Sequence, residues 1–429
     1  MPHRARLIRP TPAGVPSPAD PVTTPSRWRI YRSIALFAVF SGGAALAGGL
    51  FGKKDETPPP DTPEVAVPEV EAAAPVAPEA PPLFPDGLPV ALQQTPEGLA
   101  NLSAQGCNAC HWQAHDEWAN TPHAAAWSDP EYQEAMARVG NTTACRSCHL
   151  PLANQHNRLA AGFVGGDFAR PQMAENDIWD ATLMAEGVTC AACHVREGTV
   201  ISTRAAPDAP HPVAVSVELH SPEMCATCHQ LTWPGADRPF YDTYGEWKAS
   251  AYAQAGISCQ ECHLPAQTGT SAASRFAARP SHAFPADLGR GLSVLFDLES
   301  PEAQRGAPFP VRIRLQNTGA GHHIPTGSPF KTYRVSLHIE DAAGEALVAP
   351  AELELGRTVE AEPPWNTTAD NRIPAGGEVA FEHAFEVSQK KAAQRATLVV
   401  RVEQVVTGAD GAPSVSPPLL ERRLPIQVL

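Results

Sequence analysis

The sequence predicts three successive structural classes: an N-terminal transmembrane helix with a disordered, proline-rich tether, a mainly α or irregular middle region, and a C-terminal all-β sandwich. Three observations carry this reading. Residues 33–52 form an uncharged run of 20 residues. All ten cysteines fall in one recurring motif, C-x-x-C-H, between residues 107 and 263. From about residue 291, apolar and polar residues alternate with the period of two that marks half-buried strands.

Taken in order, residues 1–32 are a basic tail. Residues 1–54 hold eight Lys or Arg against the single acid Asp20, which leaves 24 basic and 45 acidic residues beyond them. So acidic a body argues against nucleic acid and for partners that are basic or small. The apolar run at 33–52 has the length that a bilayer-spanning helix needs, and the arginines before it predict a cytoplasmic N-terminus. A cleaved signal peptide is the alternative, with "ALA" at 45–47 as its cleavage site, but a 32-residue leader is long for one. Either way, everything after residue 54 is exported. Residues 53–94 read as a Pro/Glu-rich linker; ten prolines within 55–85 exclude a core there and favour an extended tether of at most roughly 95 Å.

The middle region, 95–290, contains "CNACH" (Cys107, Cys110, His111), "CRSCH" (Cys145, Cys148, His149), "CAACH" (Cys190, Cys193, His194), "CATCH" (Cys225, Cys228, His229) and "CQECH" (Cys259, Cys262, His263). This is the attachment signature of c-type haem. Two thiols about one helical turn apart can bond the two vinyl groups of one porphyrin, and the following histidine then sits beneath the iron. Structural zinc usually takes two C-x-x-C pairs per ion, five pairs do not divide into twos, and neither zinc nor disulfides demand a histidine after every second cysteine. Five covalent haems are therefore expected. The motifs begin 38, 45, 35 and 34 residues apart, which leaves too little protein to enclose each ring separately. The porphyrins themselves must form much of the core, close enough together for electrons to hop between them.

A second axial ligand is either Met or His, and His gives the lower potential. Only Met136, Met173, Met184 and Met224 follow the apolar run, whereas ten histidines outside the motifs do: His115, His123, His156, His211, His220, His282, His322, His323, His338 and His383. Bis-histidine coordination is the economical expectation.

The stretch "CNACHWQAHDEWANTPHAAAW" resembles the cytochrome c554 family of multihaem cytochromes, and "DTYGEWKASAYAQAGISCQECHLP" is similar to the surroundings of a later haem in that family. The likeness runs from about residue 104 to 290, and "NTGAGHHIPTG" resembles a β-domain loop often appended to such proteins. The resemblance implies that His123 and His322 are distal ligands. His211 in "PHPV" and His282 in "SHAFP" look like the distal histidines before the fourth and after the fifth attachment sites in relatives of this kind. An internal repeat aligns "EWANTPHA" (117–124) with "EWKASAYA" (246–253), so Tyr252 stands where His123 stands and the second copy has lost the ligand. His156 is the choice for the fifth distal position, with His115 and His220 behind it. If all three are free, one iron has an open site, with Tyr252 or Tyr244 as a nearby hydrogen-bond donor.

Residues 291–429 read as a β-sandwich of immunoglobulin-like type. "VRIRLQN" turns Val311, Ile313 and Leu315 inward, and "YRVSLHIE" does the same with Tyr333, Val335, Leu337 and Ile339; further strands are expected at 291–298, 346–355, 378–387, 396–406 and 420–428. His338 and His383 sit within strands and need no iron to explain them. In the loop "GAGHHIPTG", Gly319 and Gly321 allow close approach of the backbone to a porphyrin edge and Pro325 stiffens the exit. The sandwich is thus expected to donate His322 to a haem, leaving His323 either on a propionate or in water.

These features imply an electron carrier on the periplasmic side of the inner membrane, between a membrane quinol-linked donor and a periplasmic or outer-membrane acceptor, or a secreted protein if the signal is cleaved. No catalytic residue is identified: there is no Walker loop, HExxH, G-x-S-x-G or dinucleotide fingerprint. The alternative is a redox enzyme acting on nitrite, hydroxylamine or nitric oxide at a five-coordinate haem. The pentahaem nitrite reductases carry C-x-x-C-K at the active haem, and that motif does not occur here.

Overall fold

The computed structural model describes residues 92–139, 143–166, 170–233, 235–271, 274–389, 395–408 and 411–429. The basic tail, the expected membrane segment at 33–52 and nearly all of the linker lie outside these residues. Among the described residues no helix is long and apolar enough to cross a membrane.

Each C-x-x-C-H motif is wound into a short helix. Cys107–His111 lies inside Ala104–Ala119, which kinks at His111 (φ −106°, ψ 36°), and the other four motifs end the helices Thr143–His149, Cys190–His194, Pro222–His229 and Cys259–His263. A helical turn puts positions i and i+3 on one face, so both thiols of a motif point the same way. Local signals start these helices: Ser103 and Ser221 accept hydrogen bonds from Gln105 N–H and Glu223 N–H, and Ser258 with Glu261 forms a capping box.

Between the helices run small β elements that helical periodicity did not predict. Arg158–Phe163 pairs with Pro171–Glu175, and Ala266–Ser271 pairs with Ser274–Pro280. The second hairpin carries Arg279 and delivers His282 just beyond its end. Apolar packing is sparse in this region: its buried cluster is Leu102, Leu152, Leu183, Ala191 and Val195. The protein side chains alone do not make a core of ordinary size for so long a segment.

The C-terminal part is built of two sheets around a shared apolar core. One orders Glu378–Glu386, Pro308–Asn317 and Leu292–Asp297; the other orders Ala351–Leu355, Lys331–Glu340, Arg395–Thr407, Leu420–Val428 and Glu302–Ala303. The alternation seen in the sequence is what fills the space between them: Val311, Ile313 and Leu315 from one sheet meet Val335, Leu337, Ile339, Leu398 and Val400 from the other, all nearly inaccessible. The strand expected from residue 346 starts at Ala351, because Asp341 accepts the N–H groups of Ala343 and Glu345 and holds a turn there.

A short hairpin, Arg357–Val359 with Thr367–Asp370, leaves the sandwich and grips the motif-bearing part. Arg357 donates to Pro239 O at 2.7 Å and also to Phe240 O, while Thr367 N–H donates to Asp237 at 3.1 Å. Trp365 at its tip packs on Trp233, Phe240 and Phe330. The loop with the paired histidines also meets the motif-bearing part, through Thr326 and Thr243, whose hydroxyls lie 2.9 Å apart.

Candidate haem site

The motif histidines are oriented by backbone carbonyls. His149 Nδ1 lies 2.6 Å from Ala126 O, His194 Nδ1 3.0 Å from Ile201 O and His263 Nδ1 2.9 Å from Pro285 O. A carbonyl can only accept, so Nδ1 carries the proton and Nε2 is left with its lone pair. That is the tautomer in which an imidazole binds a metal through Nε2, with the Nδ1 hydrogen bond fixing the ring. Burial disfavours the imidazolium at all five motif histidines and lowers their pKa.

Opposite three of these rings stands a second histidine. Ring centres are 6.2 Å apart for His229 and His123, 6.1 Å for His194 and His282, and 6.2 Å for His263 and His322. An iron between two imidazoles needs two metal–nitrogen bonds of about 2 Å and about 1 Å more from each nitrogen to its ring centre, or roughly 6 Å in all. The residues therefore fit a bis-histidine metal centre three times over. Burial brings His123 and His282 down to about 4, so both are neutral donors at physiological pH. His322 Nδ1 lies 2.9 Å from His323 O, which leaves its Nε2 facing His263.

His211 lies in the electrostatic neighbourhood of His111, beside a cavity of about 700 Å³ lined by Gly98, Ala205, Pro207, Pro210 and Val213. The sequence thus brings His123, His211, His282 and His322 each towards a different motif histidine. Which motif each one faces was not readable beforehand.

His156 departs from expectation. It is 3% exposed, and its Nε2 lies 2.7 Å from Leu150 O, so the nitrogen expected to reach an iron is engaged with a backbone carbonyl instead. His115 packs beside Trp118 with ring centres 5.6 Å apart, and His220 lies near Glu261. Among the described residues no histidine ring faces His149. Its ring stacks on Tyr132 at 3.6 Å with planes 7° apart. Among the described residues the buried Tyr132 hydroxyl has no hydrogen-bond partner, and both Tyr132 and Tyr241 lie close to Cys145 and Cys148. Tyr244 and Tyr252, singled out earlier for this role, are engaged elsewhere: Tyr244 donates to Glu223 and Tyr252 to Thr318 O. His323, expected on a propionate or in water, has its Nδ1 3.6 Å from the buried Glu246 carboxylate.

The motifs are also adjacent to one another. The thiols of Cys107 and Cys190, Cys148 and Cys228, and Cys225 and Cys259 are close neighbours, and Cys193 lies near Cys228. None of the ten cysteines is in a disulfide. Groups attached at these cysteines must sit side by side, with the fourth motif touching the second, third and fifth.

Two buried ion pairs escaped the sequence reading: Glu117 with Arg279, and Glu246 with Arg372. The internal repeat held the signal, since both glutamates open its copies.

Residues 106–164 match the model of the family described as cytochrome c554 and c-prime. Among solved structures, a penta-haem cytochrome c552 from Thermochromatium tepidum aligns with 77% of this chain and 100% of its own at 16% identity and a TM-score of 0.55, which shows a shared fold. A CARDB domain from Pyrococcus furiosus aligns with 32% of this chain and 87% of its own at 11% identity, but its TM-score of 0.19 carries no argument. No curated protein matches.

Proposed function

We propose that this chain, a multihaem c-type cytochrome of the cytochrome c554 family, binds five haem c groups and relays electrons outside the cytoplasmic membrane, between a membrane quinol-linked donor and a periplasmic or outer-membrane acceptor. Each haem c, when bound, would supply a one-electron iron couple. The five cysteine pairs hold the rings, and His111, His149, His194, His229 and His263 ligate from the proximal side. His211, His282, His123 and His322 complete the coordination of the first, third, fourth and fifth. Residues 33–52 tether the chain on the periplasmic side.

The observation that carries this reading is the set of three histidine pairs 6.1–6.2 Å apart on motifs whose cysteines touch. Imidazoles on both sides favour low potentials and leave no exchangeable site at those irons, as suits a carrier. Mass spectrometry of the purified protein is expected to give five haems per chain. Membranes supplied with quinol are expected to reduce it, and a quinol-site inhibitor to block that reduction; reduction indifferent to the inhibitor would sink the relay reading.

A second reading is favoured by one feature, the absence of a histidine facing His149 among the described residues. It makes the second attachment site a place for a small ligand such as nitrite, hydroxylamine or nitric oxide. Titration of the reduced protein with nitric oxide separates the two readings: one equivalent bound per chain supports it, and no uptake removes it.

A further inference from the structure

We propose that the two Glu–Trp dipeptides of the internal repeat are two-sided clamps, each setting the gap between the two axial histidines of one haem. Glu117–Trp118 serves the pair His194 and His282, and Glu246–Trp247 serves His263 and His322. The proposal rests on the ligand assignment above.

The tryptophan of each dipeptide holds the proximal side. Trp118 Nε1 donates to Val188 O at 2.9 Å, two residues before Cys190, and Trp247 Nε1 donates to Ile257 O at 2.9 Å, two residues before Cys259. The same two residues bond back to the repeat: Val188 N–H donates to His123 O and Ile257 N–H to Tyr252 O, each at 2.9 Å. His123 and Tyr252 occupy equivalent places in the two copies, so the attachment segment is pinned identically in both.

The glutamate of each dipeptide holds the distal side. Glu117 accepts from His282 N–H at 2.8 Å, from Gln267 Nε2 at 2.7 Å and from Arg279 Nη1 at 2.9 Å. Glu246 accepts from His323 N–H at 3.1 Å, from Thr326 Oγ1 at 2.6 Å and from Arg372 Nη1 at 2.5 Å. Both arginines are nearly inaccessible, with side chains 8% and 7% exposed. A carboxylate and a guanidinium buried together are tolerated only when their hydrogen-bonding positions are filled, so each pair demands one arrangement of the segment that carries it.

The distal segments come from unrelated places. One follows the hairpin that ends at Pro280, and the other is a loop of the sandwich. Chain continuity therefore cannot explain why both meet the repeat through a buried arginine and a backbone N–H at or beside the ligand. Adjacent residues of one dipeptide touch the proximal and the distal segment, so the dipeptide fixes their separation, and the two gaps come out at 6.1 and 6.2 Å. In the second copy the tyrosine that replaced a ligand adds a further tie, since Tyr252 donates to Thr318 O at 3.2 Å on the loop bearing His322. Gly321 lets that loop lie against Trp247 and Tyr252, where an added Cβ would approach both to 3.3 Å.

These are positioning residues, and the test reads the spectrum of individual irons in the full-length, haem-loaded protein. Glu246→Ala is expected to remove one bis-histidine low-spin EPR signal, the same one that His322→Ala removes. Glu117→Ala is expected to remove the signal lost in His282→Ala. Glu246→Gln keeps an acceptor for His323 N–H and is expected to retain the low-spin signal, with the potential of that iron raised by loss of the negative charge. Parent-like spectra in both alanine variants, or the same change whichever glutamate is altered, would overturn the proposal. Should the alanine variants fail to load haem, Trp118→Phe and Trp247→Phe keep the packing and lose only the indole N–H. Each is expected to perturb the same single signal as its neighbouring glutamate, and no change in either overturns the clamp. A parent without bis-histidine low-spin signals defeats the ligand assignment and the clamp with it, whereas a normal parent with unresponsive variants defeats the clamp alone.

Discussion

The imidazoles of His263 and His322 face each other with ring centres 6.2 Å apart and planes 16° from parallel, although one belongs to an attachment helix and the other to a loop of the β-sandwich. The coordination reading turns that relationship into a spectroscopic expectation. His322→Ala should convert one low-spin iron to high spin without changing the number of haems, and His156→Ala should leave the spectrum as it was. A high-spin signal gained in His156→Ala would restore that residue as a ligand.

The three pairs differ in the angle between their rings, 16°, 36° and 73°. Near-parallel axial imidazoles split the iron orbitals rhombically, and near-perpendicular ones leave them almost degenerate. EPR of the oxidised protein is therefore expected to contain one strongly anisotropic species, from His123 and His229, which disappears in His123→Ala. Loss of a rhombic signal instead would reassign that pair.

The loop bearing His322 depends on Asn317, which is 1% exposed. Its amide donates to His322 O at 2.8 Å and to Ile373 O at 3.2 Å, and its oxygen accepts from Ala320 N–H at 3.1 Å. Asn317→Ala removes the partners of His322 O and Ala320 N–H, a cost of about 1–3 kcal/mol each in the worst case, while Ile373 O keeps its bond from Ile324 N–H. The expected result is a lower midpoint in denaturant together with a partial high-spin signal at the same iron that His322→Ala affects. A stability loss with an unchanged spectrum would separate the loop's fold from its ligand.

What was legible in the sequence follows the range of the forces involved. The five attachment helices were readable because thiol spacing and ligand lie within one turn, and the strands because alternation is local. The distal segments could be named, but their assignment to particular motifs could not: His211 and His111 are neighbours only after the chain has folded back on itself. His156 misled because a histidine near a motif looks available, and only the structure reveals Leu150 O at its Nε2. The repeat was aligned on its ligand position, where the two copies differ. Its glutamates, where the copies agree, needed Arg279 and Arg372 in view, and Arg372 follows a hairpin too short and too rich in polar residues to be read as strands.

In the sandwich, Glu340 predicts how stability depends on pH. Burial alone raises its pKa, but hydrogen bonds from His338, Arg423 and Arg401 outweigh this and bring it to about 2. A carboxylate whose pKa is depressed on folding stabilises the folded state above its unfolded value of about 4.3, and the contribution disappears as pH falls towards the folded value. Denaturation midpoints should therefore fall steeply between about pH 4.5 and 2. Glu340→Gln should flatten that slope and lower stability at neutral pH by about 1–3 kcal/mol through the lost charged hydrogen bonds. An identical slope in the variant would assign the acid transition to other groups.

The second attachment site gives the last expectation. Tyr132 stacks on His149 and buries a hydroxyl that finds no hydrogen-bond partner among the described residues. Burial pushes its pKa up, so the hydroxyl stays protonated. If its purpose is only to pack, Tyr132→Phe keeps the stack, removes an unsatisfied polar atom and should raise stability by about 1 kcal/mol. The stack lies on the His149 side of any porphyrin held by Cys145 and Cys148, so the same substitution should leave the release of nitric oxide from the reduced protein unchanged. An altered off-rate would mean that the stack acts on the iron through His149, whereas an unchanged one with a raised denaturation midpoint leaves Tyr132 as packing.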